Sequence, residues 1–278
     1  RLVVAQRKLP FVPRDLPASI VTPNALVRDP GSGFVIGFTM PLVKARSTLA
    51  DLRVASPNVS DCDIIGMFSE LRLALRMLHM RGIVLGDFND RNVLIAENGS
   101  PRIIDIDSAQ FAPFRTKVFT PEFVDPDLCR VDPSTGMLDL ATEHTPASDW
   151  YAWWVMLFKA LCGVHPYGGI YKPADKNKKI SPNQRPLKQY RVSVYHPEVI
   201  YPKGARPLGE IPGVIVKYFR MVFVDGLRME PPESMFASLA FDAAGRFDTP
   251  ACVELIRERS SVAAKQFALT TIAEADQI

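Results

Sequence analysis

Two short apolar runs separated by Asn98-Gly99 constrain the fold of this chain more than any other feature of its sequence. The first run is Asn92-Val-Leu-Ile-Ala, and the second is Pro101-Arg-Ile-Ile-Asp. An Asn-Gly pair between such runs is typical of a tight β-hairpin, because both residues tolerate the positive φ values that the turn requires. The sequence therefore predicts an antiparallel hairpin that brings Asn92 and Asp105 together at its open end.

The segment before this hairpin has the periodicity of a long amphipathic helix. Its apolar residues follow one another at spacings of four and three: Ile64, Phe68, Leu71, Leu75 and Leu78. This spacing places them on one face of an α-helix. Because Ser60 or Asp61 is a suitable N-cap and Gly82 a suitable stop, we predict a helix over Asp61–Met80.

The first forty residues predict one further hairpin. Arg1–Leu9 has the character of a helix end that is closed by the prolines after it. Asn24–Asp29 and Phe34–Phe38 are the two arms of the hairpin, around the turn residues Pro30–Gly33. Pro41 then ends the second strand.

The second half of the chain is predicted to be mainly helical. Residues 112–146 form a polar stretch rich in proline, and an apolar helix is predicted from Ser148 to about Gly163. Residues 164–208 contain many Pro, Lys and Gly, which predicts a long ordered loop. Two or three helices are expected from about Pro212 onwards.

Three polar residues surround the predicted hairpin. Asp87 stands five residues before Asn92, and Asp105 ends the return strand. Singly, each residue is an ordinary turn or strand-end residue. In this order they resemble the catalytic and metal-binding loops of the protein kinases. The resemblance implies phosphoryl transfer, which needs a carboxylate for the substrate hydroxyl proton and oxygen ligands for magnesium, so that Asp87 is the base and Asn92 and Asp105 bind Mg²⁺.

Downstream segments also resemble the protein kinases, so that the resemblance extends over roughly residues 24–235. Thr120-Pro121-Glu122 stands in the place of the kinase Ala-Pro-Glu motif, and Gly163-Val-His-Pro-Tyr resembles Gly-x-x-Pro-Phe. The resemblance implies that Asp149, at the start of the second long helix, binds the backbone of the catalytic loop.

Other positions depart from the protein kinase pattern. Leu85-Gly86 replaces His-Arg before the catalytic Asp, so we expect activity that needs no activation-loop phosphate. Asp105-Ile-Asp107 replaces Asp-Phe-Gly, and Asp107 is either a further magnesium ligand or a turn residue. Arg91 is a candidate to supply positive charge to the transferred phosphate.

The resemblance further implies a nucleotide site. Phe34–Pro41 resembles the strand and hinge whose backbone binds adenine in kinases, so the Phe38 carbonyl and the Met40 N–H are candidate adenine partners. An ordinary strand end explains these two residues equally well. Leu94 matches the apolar floor beneath adenine and Ile104 precedes the metal-binding Asp, although both would be buried in any version of this fold.

The elements that hold phosphate in kinases are missing from the start of the chain. Residues 1–36 contain no Gly-rich loop, their only lysine is Lys8, and no glutamate precedes Glu70, so the usual Lys–Glu pair cannot be built. We expect an α+β protein-kinase fold that is mainly the helical C-lobe, with residues 1–40 as a partial N-lobe with the hinge and residues 41–278 as the C-lobe. The remaining N-lobe elements are expected upstream in the parent protein.

The composition of the chain indicates which partners, metals and cellular location to expect. The net charge is only +3, which favours no nucleic-acid partner, and no apolar run is long enough to span a membrane. The four cysteines have no metal-ligand spacing and demand no disulfide: Cys62, Cys129, Cys162 and Cys252. This number and spacing of cysteines predicts that the protein binds no zinc and that it is located in the reducing cytoplasm. The oligomeric state stays open.

Three functions are compatible with these patterns. The first is an atypical bacterial-type Ser/Thr kinase that uses ATP and Mg²⁺ on a protein substrate. The second is a pseudokinase or scaffold, which the missing N-terminal elements favour. The third is a small-molecule kinase of the aminoglycoside or choline type, because Leu85-Gly86-Asp87 also resembles those enzymes. The Pro-Glu segment and Asp149 fit the first function best.

Overall fold

A computed structural model describes residues 6–13, 15–178, 191–239, 252, 254–262 and 264–265. The predicted helix end at Arg1–Leu9 is therefore described only from residue 6, where residues 6–8 are helical and a 3₁₀ turn follows at Leu9–Phe11. Residues 179–190 of the predicted long loop lie outside the described part.

The longest helix occupies the predicted span. Helix α1 (Leu52–Ala55) is a single turn, and helix α2 (Asp61–Met80) follows it. Ser60 caps α2 through a reciprocal pair of hydrogen bonds with Asp63, and Gly82 adopts a φ of 70° just after the helix. All five residues of the predicted apolar face are buried, which confirms the assignment from periodicity.

Helix α3 (Pro146–Cys162) packs against α2 to form the centre of the core. It begins two residues earlier than predicted, because Thr145 is its N-cap and Pro146 opens its first turn. Gly163 ends it in the left-handed conformation, as predicted. Trp153 is fully buried, and its ring lies edge-on to Phe68 of α2 with 5.2 Å between the ring centroids.

Both predicted hairpins are present. Strands β1 (Ala25–Arg28) and β2 (Val35–Thr39) form a two-stranded antiparallel sheet. A three-stranded sheet has the order β3-β4-β5, with strands Ala45–Thr48, Val93–Ala96 and Pro101–Ile103. Strand β3 was not predicted. Backbone hydrogen bonds also join Ser19 and Val21 to Ile103. The predicted partial N-lobe, residues 1–40, is therefore linked to the predicted C-lobe, and the boundary between them at residue 40 stays a prediction.

The second half of the described chain is helical with two small hairpins. Helices α4 (Gly213–Phe223) and α5 (Glu233–Ser238), with helical residues 254–262, agree with the helices predicted after Pro212. The hairpins are formed by β6 with β7 and by β8 with β9, whose spans are Cys129–Val131, Leu138–Leu140, Ile170–Tyr171 and Val199–Ile200. Strands of two or three residues show no period in a sequence, so neither hairpin was predicted. The architecture is α+β, as expected.

A disulfide between Cys62 and Cys252 joins the start of α2 to the C-terminal helical residues. The sequence did not demand this bond, because its partners are 190 residues apart and have no local signature. The predicted cytoplasmic location stays a prediction. No helix in the described part of the chain is long and apolar enough to cross a membrane.

Candidate active site

Asp149 fixes the loop that carries Asp87. Its side chain is 1% exposed, and its two carboxylate oxygens accept hydrogen bonds from the backbone N–H groups of Leu85 and Gly86 at 2.8 and 2.9 Å. His79, from the last turn of α2, donates Nε2–H to the same carboxylate at 3.0 Å, since a carboxylate can only accept. This confirms the prediction that Asp149 binds the backbone before Asp87.

Gly86 allows two side chains to pack against this loop. Its φ of 73° is in the left-handed region, which favours glycine. A Cβ atom at this position would lie 2.9 Å from His144 Cδ2 and 2.9 Å from Thr116 Cγ2. The space beside the loop is therefore filled by His144 and Thr116, and a side chain at residue 86 would have to displace them.

Stability is expected to fall below about pH 6.5 because His144 is held neutral. The residue is 3% exposed, and its Nε2–H donates to the Val118 carbonyl at 3.1 Å. Burial lowers the pKa of His144 below its ordinary 6.5, although the negative charges of Asp149 and Asp87 act in the opposite direction. The unfolded chain therefore takes up a proton near pH 6.5 that the folded chain does not. The contribution of His144 to the free energy of unfolding is fully present above that pH. It is lost as the pH falls, by at most about 1.4 kcal/mol per pH unit.

Urea unfolding at about pH 7.5 and about pH 5 checks this expectation. His144→Gln keeps a donor for the Val118 carbonyl but does not titrate, so the variant is expected to lose less stability on acidification than the wild type. An equal loss in the two proteins would show that His144 is not the responsible group.

Asn89 connects the residues of the catalytic loop. Its Nδ2 donates to the Asp87 carbonyl and to Asp87 Oδ1, each at 3.1 Å, and lies 3.2 Å from Thr120 Oγ1. Its Oδ1 accepts from the backbone N–H groups of Arg91 and Asn92. The Asn92 amide also donates to the Asp87 carbonyl, at 3.0 Å. The loop from Asp87 to Asn92 is thus closed by its own side chains, and one carboxylate oxygen of Asp87 is fixed.

The β4–β5 hairpin brings Asn92 next to the second predicted ligand. The Ile104 N–H donates to the Asn92 carbonyl at 2.9 Å, and Asp105 is the next residue. Asp105 has the left-handed values φ 64° and ψ 29°, and a 3₁₀ turn over Ile106–Ser108 follows it. The Ser108 hydroxyl donates to the Asp105 carbonyl at 2.8 Å. The open end of the hairpin therefore joins the two residues as predicted.

These residues suit magnesium bound together with a phosphate better than magnesium held by protein alone. Within the described residues, no group of three or more His, Cys, Asp or Glu side chains could hold a metal ion. The Asn92 Nδ2 bond to the Asp87 carbonyl assigns the amide, so Asn92 Oδ1 is the oxygen that can act as a ligand. Nucleotide sites bind magnesium through one or two carboxylates, water and phosphate oxygens. Asn92, Asp105 and the buried Asp107 fit that chemistry.

Lys159 joins the catalytic loop to the Thr120-Pro121-Glu122 segment. Its Nζ lies 2.9 Å from Asp90 Oδ2 and 3.2 Å from Glu122 Oε2, and 4.5 Å from the centroid of the Phe123 ring. Burial alone would raise the pKa of Glu122, but the positive charge of Lys159 reverses the shift and lowers it. Together with the Asn89–Thr120 contact, this pair of ion contacts places the segment directly beside the loop.

Arg91 lies on the exposed side of the catalytic loop. Its positive charge contributes, after that of Lys159, to lowering the pKa of Glu122. The side chain is therefore close enough to the Thr120-Pro121-Glu122 segment to act on it electrostatically. Its predicted role towards a transferred phosphate stays a prediction.

Comparison with known proteins identifies the family of the chain. The sequence profile of the protein kinase domain matches residues 20–232. The chain belongs to the protein kinase family. It is 23% identical to Protein kinase YegI of Escherichia coli O157:H7 over an alignment of 236 residues, and the match covers 79% of this chain and 36% of that protein.

Other kinases match shorter stretches. The cAMP-dependent protein kinase catalytic subunit of Dictyostelium discoideum is 33% identical over 101 residues, which are 36% of this chain and 14% of that protein. Serine/threonine-protein kinase ppk6 of Schizosaccharomyces pombe is 27% identical over 135 residues, which are 48% of this chain and 16% of that protein. The chain thus spans only a minor part of the length of these relatives.

The four predicted nucleotide contacts of this kinase domain lie on two sheets. Phe38 is at the end of β2 and Met40 follows it, 44% exposed. Leu94 is half-buried, on the side of β4 opposite the fully buried Val93, and Ile104 is half-buried after β5. A groove of about 480 Å³ is lined by the β2–β3 connection and not by Phe38 or Met40, and its walls include Val21, Pro41, Leu42, Lys44, Ala96 and Arg102. The nucleotide roles of the four residues stay predictions.

Several residues that build the site were not found from the sequence. Three of them lie far along the chain from the residues they contact, which no local motif reveals. His79 is 70 residues from Asp149, His144 is 58 residues from Gly86, and Lys159 is 69 residues from Asp90. Asn89 is the exception, since it stands between Asp87 and Asn92 inside the motif itself.

Proposed function

We propose that this kinase domain catalyses ATP- and magnesium-dependent phosphoryl transfer to serine or threonine hydroxyls of a protein substrate. The observation that carries the proposal is the assembly of Asp87, Asn92 and Asp105 around one end of the β4–β5 hairpin, through the Asn92–Asp87 and Ile104–Asn92 hydrogen bonds. The family of the chain supports it. The proposal further takes the setting to be cytoplasmic, without nucleic acid or membrane as a partner.

Each polar residue has a distinct part in this proposal. Asn92 and Asp105, with Asp107 beside them, would hold Mg²⁺, which neutralises charge on the nucleotide phosphates during transfer. Asn89 fixes Asp87 Oδ1, so Asp87 Oδ2 would accept or orient the proton of the attacking hydroxyl. Arg91 would add positive charge near the transferred phosphate.

ATP would be held at the boundary between the two sheets. The proposal assigns adenine to the backbone of Phe38 and Met40, and its apolar floor to Leu94 and Ile104. Leu94 is half-buried and lies on the face of β4 opposite Val93 and Ile95, which pack in the core, and this supports a role in contacting a ligand.

Thermal unfolding with and without ATP and Mg²⁺ tests the proposal. A ligand that binds only the folded state stabilises it by about 2.7 kcal/mol when its free concentration is 100-fold above the Kd. We expect a rise in Tm that requires both ATP and Mg²⁺ and that Asp105→Ala abolishes. Asp139→Ala, at an exposed position in the β6–β7 hairpin, is the matched control and is expected to keep the rise.

Phosphorylation assays then separate the three candidate functions. Transfer to a generic protein substrate is expected, with none to amino sugars or choline; the reverse result would favour the small-molecule kinase. A Tm that does not respond to ATP and Mg²⁺ in the wild type or in either variant would contradict the proposal and favour a scaffold, which the absence of a Gly-rich loop in residues 1–36 also suits.

A further inference from the structure

Lys8 is a buried lysine whose ammonium group contacts the loop after Asp105. It is 3% exposed, and its Nζ donates to the backbone carbonyls of Asp107, at 2.7 Å, and of Ala109. Nζ also lies 5.2 Å from the centroid of the Phe111 ring. Burial lowers the pKa of Lys8 from 10.5 to about 8, and the carboxylates of Asp107 and Asp105 act in the opposite direction.

The segment around Lys8 is held in place by apolar contacts. Val12 is buried in the core, and the ring of Phe11 lies 5.6 Å from that of Phe114. Residues 8–12 therefore pack along residues 107–114, about one hundred positions later in the sequence. Lys8 therefore belongs to a segment that packs both on the core and along the loop that it contacts.

The loop that Lys8 contacts has a conformation that needs support. Asp105 has a positive φ of 64°, which is uncommon and energetically unfavourable for a residue other than glycine. The glycine that follows this Asp in most kinases is absent, and the buried Asp107 stands there. The hydrogen bonds that Lys8 donates to the Asp107 and Ala109 carbonyls oppose the relaxation of this loop to other conformations.

We propose that Lys8 is a positioning residue that holds residues 105–109 in the conformation that presents Asp105 to magnesium. The magnesium part of this inference rests on the proposed function, whereas the ordering of the loop does not. Lys8 would act through the backbone of Asp107 and Ala109, to whose carbonyls its ammonium group donates. No pattern in the sequence predicts that the segment containing Lys8 lies next to the site.

Hydrogen–deuterium exchange tests the ordering of the loop without any need for activity. Lys8→Met keeps the apolar stem and removes the donors, so the amides of Ser108 and Ala109 are expected to exchange about tenfold faster or more. Amides of α2 and α3 are expected to keep their wild-type rates. Arg7→Met, at the exposed neighbouring position, is the matched control and is expected to match the wild type throughout. Lys8→Gln, with a shorter donor, is a milder variant for which we expect an intermediate rate.

Magnesium dependence tests the consequence for the site. In Lys8→Met, the Mg²⁺ concentration that gives half of the ATP-dependent Tm rise is expected to increase about 10- to 100-fold, as for other residues that orient metal ligands. Wild-type exchange at Ser108 and Ala109 in both Lys8 variants, or an equal acceleration across the whole chain, would overturn the inference, and so would an unchanged Mg²⁺ requirement. If the wild type itself shows no Mg²⁺ response, the proposed function fails, and the exchange rates alone decide the role of Lys8.

Discussion

Asp149→Ala is expected to lower the free energy of unfolding by about 2–6 kcal/mol. The substitution leaves the N–H groups of the buried Leu85 and the half-buried Gly86 without their acceptor, and each such group costs about 1–3 kcal/mol when it stays unpaired in the interior. The Nε2–H of His79 loses its partner as well. Because the same carboxylate fixes the backbone just before Asp87, any phosphotransfer is expected to fall together with stability.

Urea unfolding of wild type and variant measures this loss. The control is Asp139→Ala, which removes an exposed surface pair with Arg130 and is expected to cost no more than about 1 kcal/mol. Asp149→Asn gives a finer test, because its NH₂ group would face a backbone N–H, and we expect it to be destabilised as well. A loss in Asp149→Ala no larger than in the control would mean that solvent or a rearranged loop satisfies the two amides.

Local patterns in the sequence were sufficient for the elements that carry the site. Helix α2 could be predicted because its apolar spacing and its caps are both local, and the β4–β5 hairpin because Asn98-Gly99 specifies a tight turn. Asp149 followed from the family resemblance and was confirmed by its hydrogen bonds. In each case the residues that determine the structure lie within one helix or one turn, or within a motif that the family shares.

Contacts between distant segments could not be predicted in this way. The Lys8 contacts with Asp107 and Ala109 and the Cys62–Cys252 disulfide join residues about 100 and 190 positions apart, and neither leaves a pattern in the chain. Lys8 was noted only as a lysine that could not form the usual pair with a helix glutamate. Its role depends on the packing of residues 8–12, which is a property of the fold.

The catalytic loop is supported from three directions that do not involve an arginine before Asp87. Asp149 binds the backbone ahead of it, Asn89 closes it internally, and Lys159 ties it to Glu122. Gly86, in the position where that arginine stands in most kinases, is packed against other side chains. This arrangement is consistent with the expectation that the loop needs no phosphate on a neighbouring segment to become ordered.

Asp87→Asn is expected to lower the rate of phosphotransfer by about 10²- to 10⁴-fold, the usual effect of removing a general base. An amide at this position still accepts the Asn89 hydrogen bond through its oxygen, but it cannot take up a proton. Stability and the ATP- and Mg²⁺-dependent rise in Tm are therefore expected to stay close to those of the wild type. The measurement is kcat on a protein substrate at saturating ATP and Mg²⁺.

Asp105→Ala is the variant with which Asp87→Asn is compared, because it is expected to affect the metal site and not only the base. Asp105→Ala is expected to lose the magnesium-dependent rise in Tm together with activity, whereas Asp87→Asn is expected to keep the former and lose only the latter. This difference between the effects on kcat and on the Tm rise distinguishes a general base from a metal ligand. A decrease of less than about tenfold in kcat for Asp87→Asn would exclude it as the base. A loss of the Tm rise in Asp87→Asn would instead place the Asp87 side chain among the groups that organise the magnesium site, since the substitution leaves the backbone carbonyl that accepts from Asn92 in place.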